Sequence, residues 1–149
     1  MLAAELADLG ESMVTKEDIA AAWAQPSFDL GRDATVIETG AQIVAAAETF
    51  RTRAEVSIHP DTRGLGLGTW LLGWVEARGR AKGERRTRQT RLDRDAGAAA
   101  MLRQHGYEVG YVSWILEISL DEKPAEPRPP DGVVIRHFIP GQDDRDVHR

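Results

Sequence analysis

The sequence predicts an α/β (α+β) domain built as one mixed, mostly antiparallel sheet with helices on both faces. Three observations point there. "DATVIETGAQIVAAAETF" followed by "AEVSIH" gives three short extended runs joined by tight turns, an antiparallel meander. "LGTWLLGWVEARGRAKG" behind it repeats its apolar residues at helical spacing. Further strand-like and helix-like stretches then alternate, and elements in that order pack as helices over a sheet.

The elements follow from local chemistry. Leu2, Leu6 and Leu9 recur at helical spacing, and Gly10 is a stop. Thr15 is a good N-cap for "KEDIAAAWA", and Asp18 three residues on completes a capping box. Ile19 and Trp23 share a face of that helix, which Pro26 ends. Residues 36–38 and 42–50 form the arms of a hairpin around Thr39-Gly40, although the alanines at 45–47 are poor strand formers. Residues 54–59 are a third strand, closed by Pro60.

On the next helix Trp70, Leu71, Trp74 and Val75 fall on one stripe, and Gly83 is the stop. "RRTRQTRL" reads as a strand, and Asp95 caps "AGAAAMLRQHG", a short helix ending at Gly106. "YEVGYVSWILEISL" alternates Val112, Trp114, Leu116 and Ile118 and reads as a strong strand. "DEKPAEPRPPDG" has the composition of a linker, "VVIRHF" reads as a last strand, and "PGQDDRDVHR" opens a helix. Trp70, Trp74 and Trp114 sit at core-like spacings and are expected between helix and sheet.

Composition limits the function classes. The chain has 149 residues, 42% of them hydrophobic and 29% charged, enough for a real core. A net charge of -5 argues against nucleic acid as the main partner. The chain has no cysteine, which excludes disulfides, thiolate nucleophiles and thiolate metal sites; no metal site is expected. No apolar run is long enough to span a bilayer, and the N-terminus lacks the pattern of a signal peptide, so no membrane partner and a cytoplasmic location are expected. "RGRAKGERRTRQTRLDR" reads as a solvated, charge-protected edge or as an electropositive rim for an anion.

The stretch "HPDTRGLGLGTW" carries chemistry. A strand leads into it and a helix leaves it, so free N–H groups and the helix dipole meet at its end. Glycines let a phosphate approach several amides, and Arg63 adds a forked donor. The ligand this suggests carries phosphates. A P-loop is excluded because no Lys follows these glycines. The dinucleotide fingerprint fails because Thr69 and Leu71 stand where its third glycine belongs. What remains is R-x-x-G-x-G, met by Arg63, Gly66 and Gly68.

At these residues the chain resembles a known family. "IHPDTRGLGLGTWLL" resembles the acyl-coenzyme A pyrophosphate loop of the GNAT superfamily of N-acyltransferases, and "AAAMLRQHGYE" is similar to that family's later helix and the Gly-Tyr behind it. The resemblance implies the GNAT fold, with splayed fourth and fifth strands and the coenzyme's pantetheine arm in the gap. It implies that backbone groups of Val56, Ser57 and Ile58 pair with the arm, and that Gly64, Leu65, Gly66, Leu67, Gly68 and Thr69 hold the pyrophosphate with Arg63 alongside. The cosubstrate it implies is acetyl-CoA. An acceptor amine attacks the thioester directly, which needs a base, oxyanion donors and some help for the departing thiolate.

Glu55, five residues before Pro60, is the candidate base; otherwise it is a solvent-facing strand residue. His59 is a second candidate, read equally as a surface or capping residue. The family's usual Tyr acid is matched by Leu102, and its usual Asn falls near Ala96. A thiol with a pKa of about 8.5 can leave without an acid. Tyr107 and Tyr111 are the alternatives, Tyr107 being expected to pack behind the helix end.

The resemblance also implies an organisation. Residues 1–120 match one GNAT domain lacking its first strand, 121–132 a Pro-rich linker, and 133–149 the opening of a second repeat, as in tandem GNAT proteins. The final strand is expected to pair at the sheet edge beside residues 112–118. Two functions compete: an acetyl-CoA-dependent N-acetyltransferase acting on a small-molecule amine, and a degenerate repeat that binds the coenzyme or only supports its partner repeat. A nucleotide-binding domain is weaker, since both phosphate fingerprints fail. A homodimer is left open.

Overall fold

In the computed structural model the described residues are 2–10, 12, 14–123 and 127–147. They divide into two compact units, Met1–Gly110 and Tyr111–Arg149. In the first, helices α1 (Leu2–Leu9), α2 (Lys16–Trp23) and α3 (Leu30–Asp33) precede strands β1 (Ala34–Thr39), β2 (Gln42–Phe50) and β3 (Arg53–Ile58). A 3-10 turn, Pro60–Thr62, leads into α4 (Leu67–Ala81), and α5 (Ala96–Gln104) follows. The strands form an antiparallel sheet in the order β1-β2-β3. Ala34 faces Glu48 in the first ladder, and Ala45 faces Ile58 in the second.

The expected caps are present. Thr15 and Asp18 make a reciprocal capping box, with Asp18 N–H donating to Thr15 Oγ1 at 3.1 Å and Thr15 N–H to Asp18 Oδ2 at 2.9 Å. These bonds, the backbone one first, hold the Asp18 carboxyl below its usual value. Asp95 caps α5 through Ala98 N–H at 3.1 Å.

The core lies between α4 and the sheet. Ala45, Ala47, Ala54 and Val56 meet Leu71, Leu72 and Val75, with Leu102 of α5 closing the cluster. The alanines that weakened the strand expectation are what let α4 lie close to β2. On the other sheet face Trp23 of α2 donates its indole N–H to Glu48 at 2.7 Å, and Phe28 packs on Phe50 at 6.4 Å. At the edge of β1, buried Asp33 ties α3 to α4 through Arg78 at 2.7 Å and Lys82 at 3.0 Å.

Several expectations are corrected. Trp70 is exposed, because Gly68, Leu71, Leu72, Val75 and Gly79 define the buried stripe of α4 and Trp70 lies on its far side; Trp74 flanks the core. "RRTRQTRL" makes one parallel bridge, Arg53 with Arg88, instead of a strand. No strand is present over 107–120 or 133–138. Trp114 and Leu116 are exposed there, and no ladder pairs the last expected strand beside 112–118 among the described residues. Alternation specifies which residues a strand would bury, but a strand exists only against a partner edge.

The second unit holds local turns and the short helix α6 (Asp144–Val147). Arg136 grips Asp143 at 2.5 and 2.7 Å, and Ile139 N–H donates to the same carboxylate at 2.8 Å. That pairing, led by Arg136, holds the Asp143 carboxyl below its usual range. Of the expected linker, residues 124–126 lie outside the described residues. No helix among the described residues is long and apolar enough to cross a membrane.

Candidate functional site

The glycine stretch sits where β3 turns into α4. His59 caps the 3-10 turn, its Nδ1 accepting from Asp61 N–H at 3.4 Å, which is the capping role foreseen for it. Gly64 and Gly66 both adopt left-handed backbone, at φ 76° and 79°, with open space where a Cβ would project. Gly66 is the N-cap of α4 and brings no side-chain bond to the first turn. The leading amides of the helix therefore keep no capping side chain, and they lie beside two glycines that leave room for a ligand.

Gly68 has a different reason to be glycine. A Cβ there would come within 2.6 Å of Met101 Sδ and 3.0 Å of Ile58 Cδ1, so its bareness lets α5 and β3 approach α4. Arg63 is paired with Asp8 of α1 at 2.7 Å. Leu65 is exposed at the turn, and Leu67 packs against the core.

Ladder register decides which backbone groups of β3 are available. His59 N–H donates to Val44 O at 2.8 Å, so the odd-numbered residues of β3, Ser57 included, turn their polar groups toward β2. Ala54, Val56 and Ile58 face the outer edge. Among the described residues only the first of these meets another backbone there: Ala54 N–H donates to Arg88 O at 2.8 Å, while Arg88 N–H donates to Thr52 O at 2.7 Å. Beyond that bridge no backbone bond joins the two segments among the described residues, which leaves Val56 and Ile58 along an unpaired gap in the ladder that ends at Ala54. Arg91 reaches across it and donates to Val56 O at 2.7 Å.

Glu55 lies on the sheet face away from α4, directly opposite Glu48 of β2. Its side chain is partly buried and paired with Arg53 at 2.9 Å and, more loosely, with Arg91 at 3.7 Å. Sequence reasoning missed Glu48, Trp23 and Arg91. The tight turn between Phe50 and Arg53 would have paired Glu48 with Glu55. Arg91 carried no signal, being one of many arginines.

Neither the expected acid position nor Tyr107 brings a proton donor to the gap. Leu102 is buried in the core. The Tyr107 hydroxyl is buried, with Glu76, Gln89 and Thr87 near it but none in hydrogen-bond geometry; burial first, then the Glu76 charge, push its pKa up. Ala96 opens α5, and Tyr111 is exposed. The Arg-rich stretch is dispersed: Arg78 serves Asp33, Arg80 pairs with Glu76, and Arg85, Arg86 and Arg88 line a shallow hollow with Thr52. Among the described residues no group of His, Asp and Glu could hold a metal ion.

This geometry has counterparts. Residues 31–109 match the acetyltransferase (GNAT) domain, a span that includes β1–β3, the glycine stretch, α4 and α5. The chain belongs to the GNAT acetyltransferase family. It is 35% identical over 91 residues to a mycothiol acetyltransferase of Catenulispora acidiphila, covering 61% of this chain and 29% of that one. A mycothiol acetyltransferase of Frankia casuarinae is also 35% identical, over 94 residues, 62% of this chain and 27% of the relative. A solved GCN5-related N-acetyltransferase from Sphaerobacter thermophilus superposes with a TM-score of 0.74 at 27% identity, covering 99% of this chain and 50% of that one. An aminoglycoside acetyltransferase from a soil metagenome shares the fold, with a TM-score of 0.56 at 14% identity. The chain thus spans under a third of the curated relatives it matches and half of the solved one. GNAT acetyltransferases take an acyl-coenzyme A as donor, and an uncapped helix start next to an unpaired strand edge suits such a molecule.

Proposed function

We propose that the chain carries the donor site of an acetyl-CoA-dependent N-acetyltransferase whose acceptor is a primary amine of a small molecule. The observation that carries this reading is the pairing of Gly64 and Gly66, left-handed and open, with the uncapped start of α4. The leading amides of α4 would take the pyrophosphate, with Arg63 turning from Asp8 to join them. Val56 and Ile58 would pair with the pantetheine amides as an added strand does. Ser57, bonded to β2, would contribute position instead of hydrogen bonds.

The acceptor would approach on the sheet face that holds Glu55, Glu48 and Trp23. Glu55 would accept the ammonium proton directly or through water. Acyl transfer on the full-length protein would take place in the cytoplasm, with a second GNAT repeat as partner, since the matched relatives are far longer than this chain.

A second reading is favoured by one observation. Leu102 fills the position where the family's acid is expected, and it lies in the core. A repeat that binds the coenzyme while another repeat performs the chemistry is consistent with that. Turnover with a panel of amines separates the two readings.

The donor site is tested by calorimetric titration of acetyl-CoA into the chain, a Gly66→Glu variant and a Gly66→Asn control. Asn tolerates left-handed backbone and adds no charge. Micromolar binding by the chain and the Asn form, lost in the Glu form, is the expected outcome. Equal binding by all three would overturn the placement of the pyrophosphate. No binding at all would overturn the donor-site reading for this chain.

A further inference from the structure

We propose that Arg91 stabilises the negative charge that develops on the thioester sulfur and oxygen during acyl transfer, in place of a proton donor. The proposal rests on the donor-site reading above. It starts from where the guanidinium lies. Arg91 bridges the gap between β3 and the segment that follows Arg88, 16% exposed at its side chain. It donates to Val56 O at 2.7 Å and to Gln89 Oε1 at 2.8 Å, both neutral oxygens.

Its charge is matched only loosely by a carboxylate, that of Glu55. Glu55 stands 3.7 Å away and has Arg53 at 2.9 Å as its closer partner. Glu48, opposite Glu55, is occupied by the Trp23 indole. A cation whose two short bonds go to neutral oxygens, and whose one ion pair is long and shared with Arg53, can turn toward a new negative charge, the more so once Glu55 takes up a proton.

The direction of the gap brings the reacting atoms there. It opens toward Ile58 and the glycine stretch and is shut by the Ala54–Arg88 bridge. A donor anchored by its pyrophosphate at α4 points its thioester toward the shut end, where Val56 and Arg91 meet. Once Val56 O pairs with the pantetheine arm, the guanidinium loses that acceptor and faces the thioester instead.

The step balances without an acid. As the acceptor nitrogen bonds to the acyl carbon, the carbon–sulfur bond gives its electron pair to sulfur. The ammonium has given its first proton to Glu55, directly or through water, before attack, and the second proton shed by the new amide nitrogen passes to water. The guanidinium donates hydrogen bonds and keeps all its protons. This answers the absence of an acid at Leu102 and accounts for Tyr107 being sequestered elsewhere.

The test reads the thiol of bound coenzyme A. The chain has no cysteine, so thiolate absorbance in the ultraviolet reports that sulfur alone. On the chain saturated with coenzyme A, the thiol should titrate at least about one unit below its ordinary value of about 8.5. Arg91→Lys should keep most of the shift, and Arg91→Gln should abolish it while still binding coenzyme A. An ordinary titration on the unmodified chain would overturn the proposal even if the Gln variant failed to fold. An equal depression in the Gln variant would overturn it too. Either of those results leaves the donor-site reading standing, whereas failure of the unmodified chain to bind coenzyme A would overturn both.

Discussion

Residues 34–81 and residues 107–139 both carry long apolar runs, yet they end in opposite states. Leu71, Leu72 and Val75 are wholly buried, while Leu116 is 90% exposed and Val134 84%. The first region closes on itself. Its strands are joined by two-residue turns, and a 3-10 turn and the short glycine stretch lead from β3 into the helix that covers it. The second has similar alternation and no adjacent strand to pair with among the described residues. Apolar patterning states a demand for burial, and connection length determines whether the same chain can meet it.

The largest effect that would sharpen this contrast is a cavity in the first region. Leu71→Ala removes a fully buried side chain from the α4–sheet contact and should cost about 3–4 kcal/mol, read from denaturant unfolding. A loss below about 1 kcal/mol would mean that the packed region is far looser than its geometry.

Next is Asp33, whose carboxylate is 2% exposed and meets Arg78 and Lys82. Burial by itself would raise its pKa. The Asp29 N–H, Arg78 and Lys82 outweigh that and hold it below the usual value. Because the folded value is the lower one, its stabilisation is present above the unfolded pKa of about 3.9 and is lost as pH falls through the folded value. Asp33→Asn should cost about 3 kcal/mol at pH 7, and the gap between the two proteins should narrow below about pH 4. A gap that did not change with pH would place the cost in packing instead of charge.

What could be read in the sequence divides along the same line. The capping box of Thr15 and Asp18, the Asp95 cap, the hairpin and the glycine turn are local, and each was legible because its partners lie within a few residues. Trp70 was misplaced because the stripe is set by Gly68 and Gly79 as much as by the large residues, and a hydrophobic count gives glycine no weight. The Arg63–Asp8 pair and the Arg91 bond to Val56 join distant segments, so no spacing announced them. At the site, the position of the glycines was legible and their division of labour was not.

That division is testable at moderate cost. Gly68→Ala drives a methyl toward Met101, a flexible side chain, and toward Ile58; it should destabilise by about 1–3 kcal/mol. Gly64→Asn, which supplies a residue tolerant of left-handed backbone where nothing lies within 4 Å, should be nearly silent in thermal unfolding. Reversal of that order would mean the loop and the helix start had been assigned each other's roles.

The smallest expected effect bears most directly on the contrast. Trp114 is 82% exposed, so Trp114→Ala on the isolated chain should change unfolding free energy by less than about 0.5 kcal/mol. Its indole should also fluoresce at the red-shifted wavelength of a hydrated ring, against the blue-shifted signal of Trp74 beside the core. A cost comparable with that of Leu71→Ala would break the comparison, because an indole can contribute so much only by leaving water. The alternation over 111–118 would then be satisfied in solution by a partner surface, and chain concentration would decide whether that surface belongs to a second copy: an interface between copies weakens on dilution, and a contact within one chain does not.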